Sequence, residues 1–198
     1  MKNNIDHLPQ EKQNALQRIV PVICDMSEDV EMIILFGSHA RGDYRDEEDL
    51  DPNRKSGAAS DFDILVVCKH KTSAAHHALW GSIEKECNGL DPNMPFRLIA
   101  HDIAYLKKRL KEIHYFFSDI VREGCVLYDT KNYQLNIGKT LSSQEQLTIA
   151  KEHFEHWFES SQQFYGTFQF QLKKQWNKKA AFSLHQSAES AYKALLLV

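Results

Sequence analysis

Short apolar runs alternate with polar stretches along the first two thirds of the chain. They predict buried strands near residues 31–36, 61–68, 95–101 and 125–128. Apolar residues at helical spacing predict helices between them, over residues 8–29, 73–88, 103–110 and 116–121. Pro21 should kink or end the first of these helices, and Asn88-Gly89 should form a turn. Alternating strands and helices predict a small α/β domain.

From Ser143 onward the pattern is helical throughout. Apolar positions recur at alternating spacings of three and four in two runs: Leu147, Ala150, Phe154, Trp157, Ser161, Phe164, Phe168 and Leu172, then Ala181, Leu184, Ala188, Ala191, Leu195 and Val198. Two such helices with a break near Asn177 predict an antiparallel hairpin. The predicted division is therefore a domain over 1–130, a linker over 131–142 and a helical segment over 143–198.

The composition is that of an ordinary globular protein. Of 198 residues, 42% are hydrophobic and 26% are charged, and a net charge of −3 gives no electrostatic footprint for DNA binding. The polar N-terminus predicts neither a signal peptide nor a membrane span. The four cysteines have no C-x-x-C spacing, which predicts reduced, buried thiols. We therefore expect a cytoplasmic protein that does not bind membranes.

Candidate chemistry lies where the first two strands meet their turns. Gly37-Ser38 follows the first strand, and Asp61 and Asp63 open the second. Since side chains alternate along a strand, the two carboxylates should point the same way, where they repel unless a cation such as Mg²⁺ binds them. Gly37 permits close backbone approach, and a helix starting at Ser38 would present N–H groups to a phosphate. This combination suits phosphoryl or nucleotidyl transfer.

These residues also carry a family resemblance. The elements Gly37-Ser38, Ala40-Arg41-Gly42 and Ser60-Asp61-x-Asp63 resemble the signature of the DNA polymerase β-type nucleotidyltransferases, in their small, MNT-like prokaryotic branch. The resemblance implies a mixed sheet with flanking helices, and an NTP substrate with ATP as the expected donor. It implies that Asp61 and Asp63 are catalytic and bind Mg²⁺ or Mn²⁺. The nucleotide-binding residues it implies are Gly37, Ser38, Arg41 and Ser60, although Arg41 equally fits a surface position.

Two features depart from that family's pattern. Residues 43–59 are a polar insertion that predicts a solvated loop able to cover the nucleotide. The family's third carboxylate, on the strand after the aspartate pair, is also missing. Arg97 stands near its expected position, and an arginine neither binds a metal nor accepts a proton. Asp102 and, less well, His101 remain as substitutes; without a third acid we expect activity that is slow, altered or lost.

The segment 182–195 has a second resemblance. It reads Phe182-x-Leu184-x-Gln186-x-x-Glu189-x-x-x-Lys193-Ala194-Leu195, which resembles the start of a HEPN domain, although a plain helical hairpin fits as well. HEPN domains have more helices, so this one would be incomplete. Residues 143–198 contain no arginine, which argues against HEPN ribonuclease activity. The apolar end 195–198 predicts either a longer protein or a surface covered by another subunit.

These observations lead to two functional hypotheses. The first is an enzyme: a metal-dependent nucleotidyltransferase that moves NMP, with AMP expected, from an NTP to an acceptor hydroxyl. Its acceptor would be a HEPN-type or other helical partner, as in toxin–antitoxin pairs, or a small molecule. The alternative is a degenerate nucleotide-binding or regulatory module that binds a helical partner. Either is expected to form a homo-oligomer.

Overall fold

The computed structural model describes residues 1–51, 59–91, 94–112, 115–138 and 142–196. The tip of the predicted inserted loop, part of the predicted linker and the last predicted apolar position lie outside these residues. The chain divides into two compact units, Met1–Gly138 and Lys139–Val198. The first contains the described sheet and its flanking helices, and the second contains a pair of helices. The predicted fold class, an α/β unit followed by a helical segment, is confirmed.

The described strands form one mixed sheet. They are β1 (Val30–Phe36), β2 (Phe62–Cys68), β3 (Phe96–Asp102) and β4 (Cys125–Asp129). Their spatial order is β3-β2-β1-β4. β1 pairs antiparallel with β2 and with β4, and β2 pairs parallel with β3. The four predicted strands are confirmed within one or two residues at each end.

Helices cover both faces of this sheet. They are α1 (Gln10–Met26), α2 (Gly37–Arg41), α3 (Lys71–Ala74), α4 (His77–Leu90), α5 (Ile103–Lys111) and α6 (Tyr115–Glu123). On β2, the side chains of Phe62, Ile64 and Val66 pack in a cluster with residues of α1 and α4. Those of Leu65 and Val67 pack on the other face with residues of α5 and α6. The alternation of β2 thus separates two cores.

Two local predictions for the helices were wrong, and a third was wrong in part. The helix over 73–88 is two helices, because the His76 ring accepts a hydrogen bond from the backbone N–H of Leu79 at 3.0 Å and so caps the start of α4. Asn88-Gly89 lies inside α4 and is not a turn. α1 does not end at Pro21 but continues to Met26, with buried residues both before and after the proline.

Side chains of α4 hold the outer edge of β3. The backbone N–H of Phe96 donates to the Asn88 side-chain oxygen at 2.8 Å, and the Asn88 amide nitrogen donates to the Phe96 carbonyl at 3.0 Å. The backbone N–H of Leu98 donates to a Glu84 carboxylate oxygen at 2.8 Å. These contacts satisfy backbone groups that no neighbouring strand pairs, and they fix β3 relative to α4.

The other edge of the sheet is held by the N-terminal segment. Lys2 forms a parallel bridge with Cys125 of β4. Its backbone N–H donates to the Gly124 carbonyl at 2.8 Å, and its carbonyl accepts from the backbone N–H of Val126 at 2.9 Å. Backbone groups of both edge strands therefore have hydrogen-bond partners at these positions.

The second unit is a hairpin of α7 (Ser143–Lys173) and α8 (Asn177–Leu196). A serine seam joins the helices. The Ser161 hydroxyl donates to the Ser187 carbonyl at 2.9 Å, and the Ser187 hydroxyl donates to the Ser161 carbonyl at 3.0 Å. Ser183 donates to the Gln171 side chain at 2.8 Å. Since residues early in α8 contact residues late in α7, the helices are antiparallel.

The apolar stripe predicted for α8 is displaced by one residue. The buried positions of α8 are small: Ala180, Ser183, Ser187, Ser190 and Ala194. The predicted positions Leu184 and Leu195 are 43% and 69% exposed. Large apolar side chains of the hairpin thus face solvent. Among the described residues, no helix has both the length and the apolar character that crossing a membrane requires.

Because the Asn88 side chain bonds to the backbone of Phe96, its removal should destabilise the protein. Asn88→Ala should lower the free energy of unfolding by about 1–3 kcal/mol, because two buried backbone groups of Phe96 lose their partner. Urea denaturation followed by circular dichroism measures the change. Asn14→Ala, at an exposed position of α1, is the matched control and should change stability by less than about 0.5 kcal/mol. Equal values for the two variants would contradict the role of Asn88.

Candidate functional site

Asp61 and Asp63 lie at the start of β2, on the face opposite Phe62. Asp61 immediately precedes the strand, and Asp63 is its second residue. Phe62, between them, is 1% exposed and packs in the core with residues of α1 and α4. Because alternate residues face opposite sides, both carboxylates lie on the other side of the sheet.

Gly37 is in direct contact with the second of these carboxylates. Its φ of +74° lies in the left-handed region, which L side chains rarely adopt. A Cβ at this position would lie 2.5 Å from the nearer carboxylate oxygen of Asp63. The glycine is therefore required twice, by its backbone conformation and by the space that Asp63 occupies. Ser38 follows it in α2, where its carbonyl accepts from the N–H of Gly42 at 2.8 Å.

Arg97 supplies a positive charge to the aspartate pair. The parallel register places Arg97 directly beside Asp63, and its guanidinium Nε forms an ion pair with a carboxylate oxygen of Asp61. Burial raises the pKa of Asp63, and the charge of Asp61 raises it further, while Arg97 and Arg41 act in the opposite direction. The two cations therefore compensate the carboxylates only in part.

The two proposed substitutes for a third acid do not lie beside the pair. His101 pairs with Val67 and Asp102 with Cys68, near the far end of β2 from Asp63. At about 3.3 Å per residue, Asp102 lies roughly 16 Å along the strand from the position of Arg97. Its carboxylate instead accepts the backbone N–H of Tyr105 at 2.9 Å and caps α5. The suggestion that Asp102 could reach the site is therefore wrong.

The remaining predicted residues have partners of their own. Arg41 ends α2 and contacts the carboxylates of Asp43 at 3.1 Å and Glu123 at 3.9 Å. The Ser60 hydroxyl accepts the backbone N–H of Arg45 at 3.0 Å, and its own N–H donates to the Arg45 carbonyl at 2.8 Å. These two bonds bring the ends of the inserted loop together next to Asp61.

Sequence reasoning missed His39, which joins α2 to the start of β2. Its ring stacks between Tyr44, with centroids 4.5 Å apart, and Phe62, at 4.0 Å. Phe62 stacks in turn on Phe96 of β3 at 5.1 Å. The His39 Nδ1 lies 3.1 Å from the backbone carbonyl oxygen of Asp61. His39 thus holds the backbone of the residue whose carboxylate faces Arg97.

His39 is buried as a neutral ring. Burial, reinforced by the charge of Lys12, lowers its pKa from 6.5 to about 4 although contacts with Asp61 and Asp46 oppose this. Since a carbonyl oxygen only accepts hydrogen bonds, the proton of the neutral ring lies on Nδ1, where it bonds to Asp61. A buried aromatic residue in a short helix has no periodic signal, so no sequence pattern indicates this contact.

A cavity of about 470 Å³ lies next to Asp61. Its lining consists of Lys12, His39, Asp46, Glu47, Ala59, Ser60, Asp61, Phe62, Met94 and Pro95. Small-molecule sites typically measure roughly 300–1,000 Å³, so the cavity is large enough for part of a nucleotide or a small acceptor. The Lys12 ammonium at its wall contacts the Asp46 carboxylate at 2.6 Å.

The two aspartates fit a divalent cation whose coordination is completed by substrate phosphate oxygens. Mg²⁺ commonly takes one or two protein carboxylates and completes its shell with water and substrate phosphates. Asp61 and Asp63 provide that minimum. Within the described ranges, no group of three or more His, Cys, Asp or Glu side chains could hold a metal ion. The pair therefore fits Mg²⁺ or Mn²⁺ shared with phosphate oxygens, and not a cage built by the protein alone.

Comparisons with known proteins give distant structural neighbours. No protein-family model and no curated protein matches the sequence. A structure of a tri-AMPylated Shewanella oneidensis HEPN toxin in complex with MNT antitoxin matches 60% of this chain and 73% of its own, with 15% identity and a TM-score of 0.37. A candidate nucleotidyltransferase from Sulfolobus solfataricus matches 65% and 86%, with 19% identity and a TM-score of 0.36. These values are too low to assign a family or a function.

The geometry at Gly37 predicts that alanine is not tolerated there. Gly37→Ala should lower the free energy of unfolding by at least about 2 kcal/mol, since a left-handed backbone costs an L-residue roughly 1–2 kcal/mol and the new Cβ also displaces Asp63. Gly81→Ala is the matched control: this glycine lies inside α4 with no atom near its Cβ position. The control should gain about 0.5–1 kcal/mol. Urea titrations compare them, and a neutral Gly37→Ala would contradict the geometry.

The lowered pKa of His39 predicts a pH dependence of stability. Above pH 6.5 the ring is neutral in both the folded and the unfolded state, so it does not change the free energy of unfolding with pH. As pH falls from 6.5 to about 4, the unfolded chain binds a proton that the folded chain does not, so stability falls by about 3 kcal/mol. His39→Gln should abolish this part of the profile, and His77→Gln, at an exposed position, should preserve it. Parallel wild-type and His39→Gln profiles would show that burial does not hold the ring neutral.

Proposed function

We propose that this chain is a metal-dependent nucleotidyltransferase that transfers a nucleoside monophosphate from an NTP to an acceptor hydroxyl. The observation that carries the proposal is the placement of Asp61 and Asp63 on one face at the start of β2, with the Asp63 carboxylate against Gly37. Two acids held together beside a glycine turn cost electrostatic energy, and a cation-binding role accounts for that cost. The resemblance of residues 37–42 and 60–63 to the polymerase β-type signature supports the same reaction.

In this proposal each residue has a defined task. Asp61 and Asp63 would hold Mg²⁺ or Mn²⁺, which when bound supplies neutralisation of charge on the phosphates. The Gly37-Ser38 turn would contact the triphosphate, and Arg41 would add positive charge on the same side. Ser60 would contribute by closing the inserted loop beside the site. ATP is the donor to test first, and the cavity next to Asp61 is the proposed place for the base or for a small acceptor.

A protein acceptor is the form of this function that we propose to test first. The segment 182–195 resembles the start of a HEPN domain, whose relatives are paired with MNT-like proteins. The hairpin also exposes large apolar side chains, including Trp176, Phe182 and Tyr192, which are 49%, 63% and 66% exposed. Exposed apolar surface of this kind is typical of protein–protein contact. A helical HEPN-type partner, or a second copy of the chain, would cover it.

One observation favours a second candidate, a nucleotide-binding module without catalysis. The family resemblance implies a third acid near the position of Arg97, and Arg97 instead lies beside Asp63 and forms an ion pair with Asp61. A group able to accept the proton of the attacking hydroxyl is therefore not evident among the described residues beside the pair. Such a module would bind nucleotide and a helical partner without releasing pyrophosphate.

Intact-protein mass spectrometry tests the transferase. The chain is incubated with ATP and Mg²⁺ or Mn²⁺, alone and with a HEPN-type partner, and pyrophosphate is assayed in parallel across nucleic-acid and small-molecule acceptors. We expect metal-dependent pyrophosphate release and the mass of one AMP on an acceptor, both abolished in Asp61→Asn and Asp63→Asn. Asp25→Asn, at an exposed position of α1, should retain them. Nucleotide binding without pyrophosphate release under every condition would contradict catalysis and favour the binding module.

A further inference from the structure

The aspartate pair has its own cation. We propose that Arg97 is the resident counter-ion of the Asp61/Asp63 site, that it offsets part of the charge of both carboxylates in the free protein, and that a divalent cation binds there only in competition with it. This inference rests on the cation-binding half of the proposed function, and it does not require nucleotidyl transfer.

The backbone of Arg97 is fixed with respect to the pair. Its register partner in β2 is Asp63, and parallel pairing places both side chains on the same face. The residues on either side of it, Phe96 and Leu98, are held from the outer edge by Asn88 and Glu84 of α4. A shift of β3 along β2 would break these bonds. The backbone of Arg97 therefore keeps its position beside Asp63 in every conformation of its side chain.

The side chain of Arg97, in contrast, is free to leave. It is 73% exposed, whereas the side chain of Asp61 is 21% exposed and Asp63 is half-buried against Gly37. The site therefore combines fixed carboxylates with a positive charge at the end of a long, solvent-exposed side chain. An ion pair as exposed as this one is weak, so the guanidinium can leave the Asp61 carboxylate to a metal ion, but the fixed backbone of Arg97 keeps its charge close to the site.

Arg97 is expected to compete with a divalent cation because both are positively charged, and not because of their shapes. A guanidinium within about 5 Å of a divalent cation in water-like surroundings repels it enough to weaken binding roughly tenfold. Arg41, the other cation that influences Asp63, is engaged with Asp43 and Glu123 and is not paired with Asp61. Arg97 is consequently the cation whose removal should change metal affinity.

Titration of the full chain with Mn²⁺ alone tests the proposal, with free Mn²⁺ measured by electron paramagnetic resonance. Arg97→Gln should bind Mn²⁺ roughly tenfold more tightly than the wild type. Arg97→Lys retains the charge and should bind as weakly as the wild type. Arg18→Gln is the matched control, because it removes one positive charge from another exposed arginine–aspartate pair, with Asp91 at 3.3 Å; it should leave the affinity unchanged.

A double variant tests whether the gain in Mn²⁺ affinity arises at the Asp61/Asp63 pair. Asp61→Asn combined with Arg97→Gln should lose the increase in affinity, since one of the two carboxylates is neutral. Circular dichroism establishes that each variant is folded, and Arg97→Met, which removes the same charge, replaces the glutamine variant if that one does not fold. Mn²⁺ should also raise the Tm of Arg97→Gln more than that of the wild type.

Two results would overturn the proposal. One is an Arg97→Gln affinity no greater than that of Arg18→Gln. The other is an Arg97→Lys variant that gains affinity as much as Arg97→Gln, because a steric effect would then replace the charge. The titration contains neither nucleotide nor acceptor. Tighter Mn²⁺ binding without pyrophosphate release would therefore reject the transferase and support this inference, whereas transfer activity without the affinity gain would do the reverse.

Discussion

The burial of Phe62 determines where the charges of this site lie. Its ring packs between His39 and Phe96 and is almost completely removed from solvent. Burying a phenylalanine side chain contributes about 1.5–3 kcal/mol, whereas an exposed ion pair contributes about 0–1 kcal/mol. Apolar packing on one face of β2 therefore places Asp61 and Asp63 on the other, and attraction to Arg97 adds little to their position.

The carboxylates are consequently held close together at an electrostatic cost. Burial and the neighbouring charge of Asp61 raise the pKa of Asp63, and the opposing effects of Arg97 and Arg41 do not cancel that rise. A site whose acids stay partly uncompensated retains affinity for further positive charge. The proposed competition between a metal ion and Arg97 for this pair depends on the same balance.

The parts of this structure that could be predicted are those with a local signal. Apolar runs ending at Gly37 or beginning at Asp61 located the strands, and the family resemblance put Arg97 near the position expected for a third acid. His39 could not be found this way, because its role depends on rings from three separate elements meeting in space. The stripe of α8 was misplaced because hydrophobic periodicity does not recognise a seam of serines that bond to carbonyls across the hairpin. The prediction of a turn at Asn88 is wrong because its partner, Phe96, becomes its neighbour only when β3 packs against α4.

The side-chain and backbone contacts at the two sheet edges have a consequence for assembly. An edge strand with unpaired N–H and C=O groups is a template onto which a strand of another molecule can add. Here Asn88 and Glu84 occupy backbone groups of β3, and Lys2 occupies those beside Cys125 on β4. At these positions the sheet cannot be extended by a strand from outside. A protein that binds this unit there must recognise its side chains, and substitution of those side chains that hold no strand would alter the choice of partner without altering the sheet.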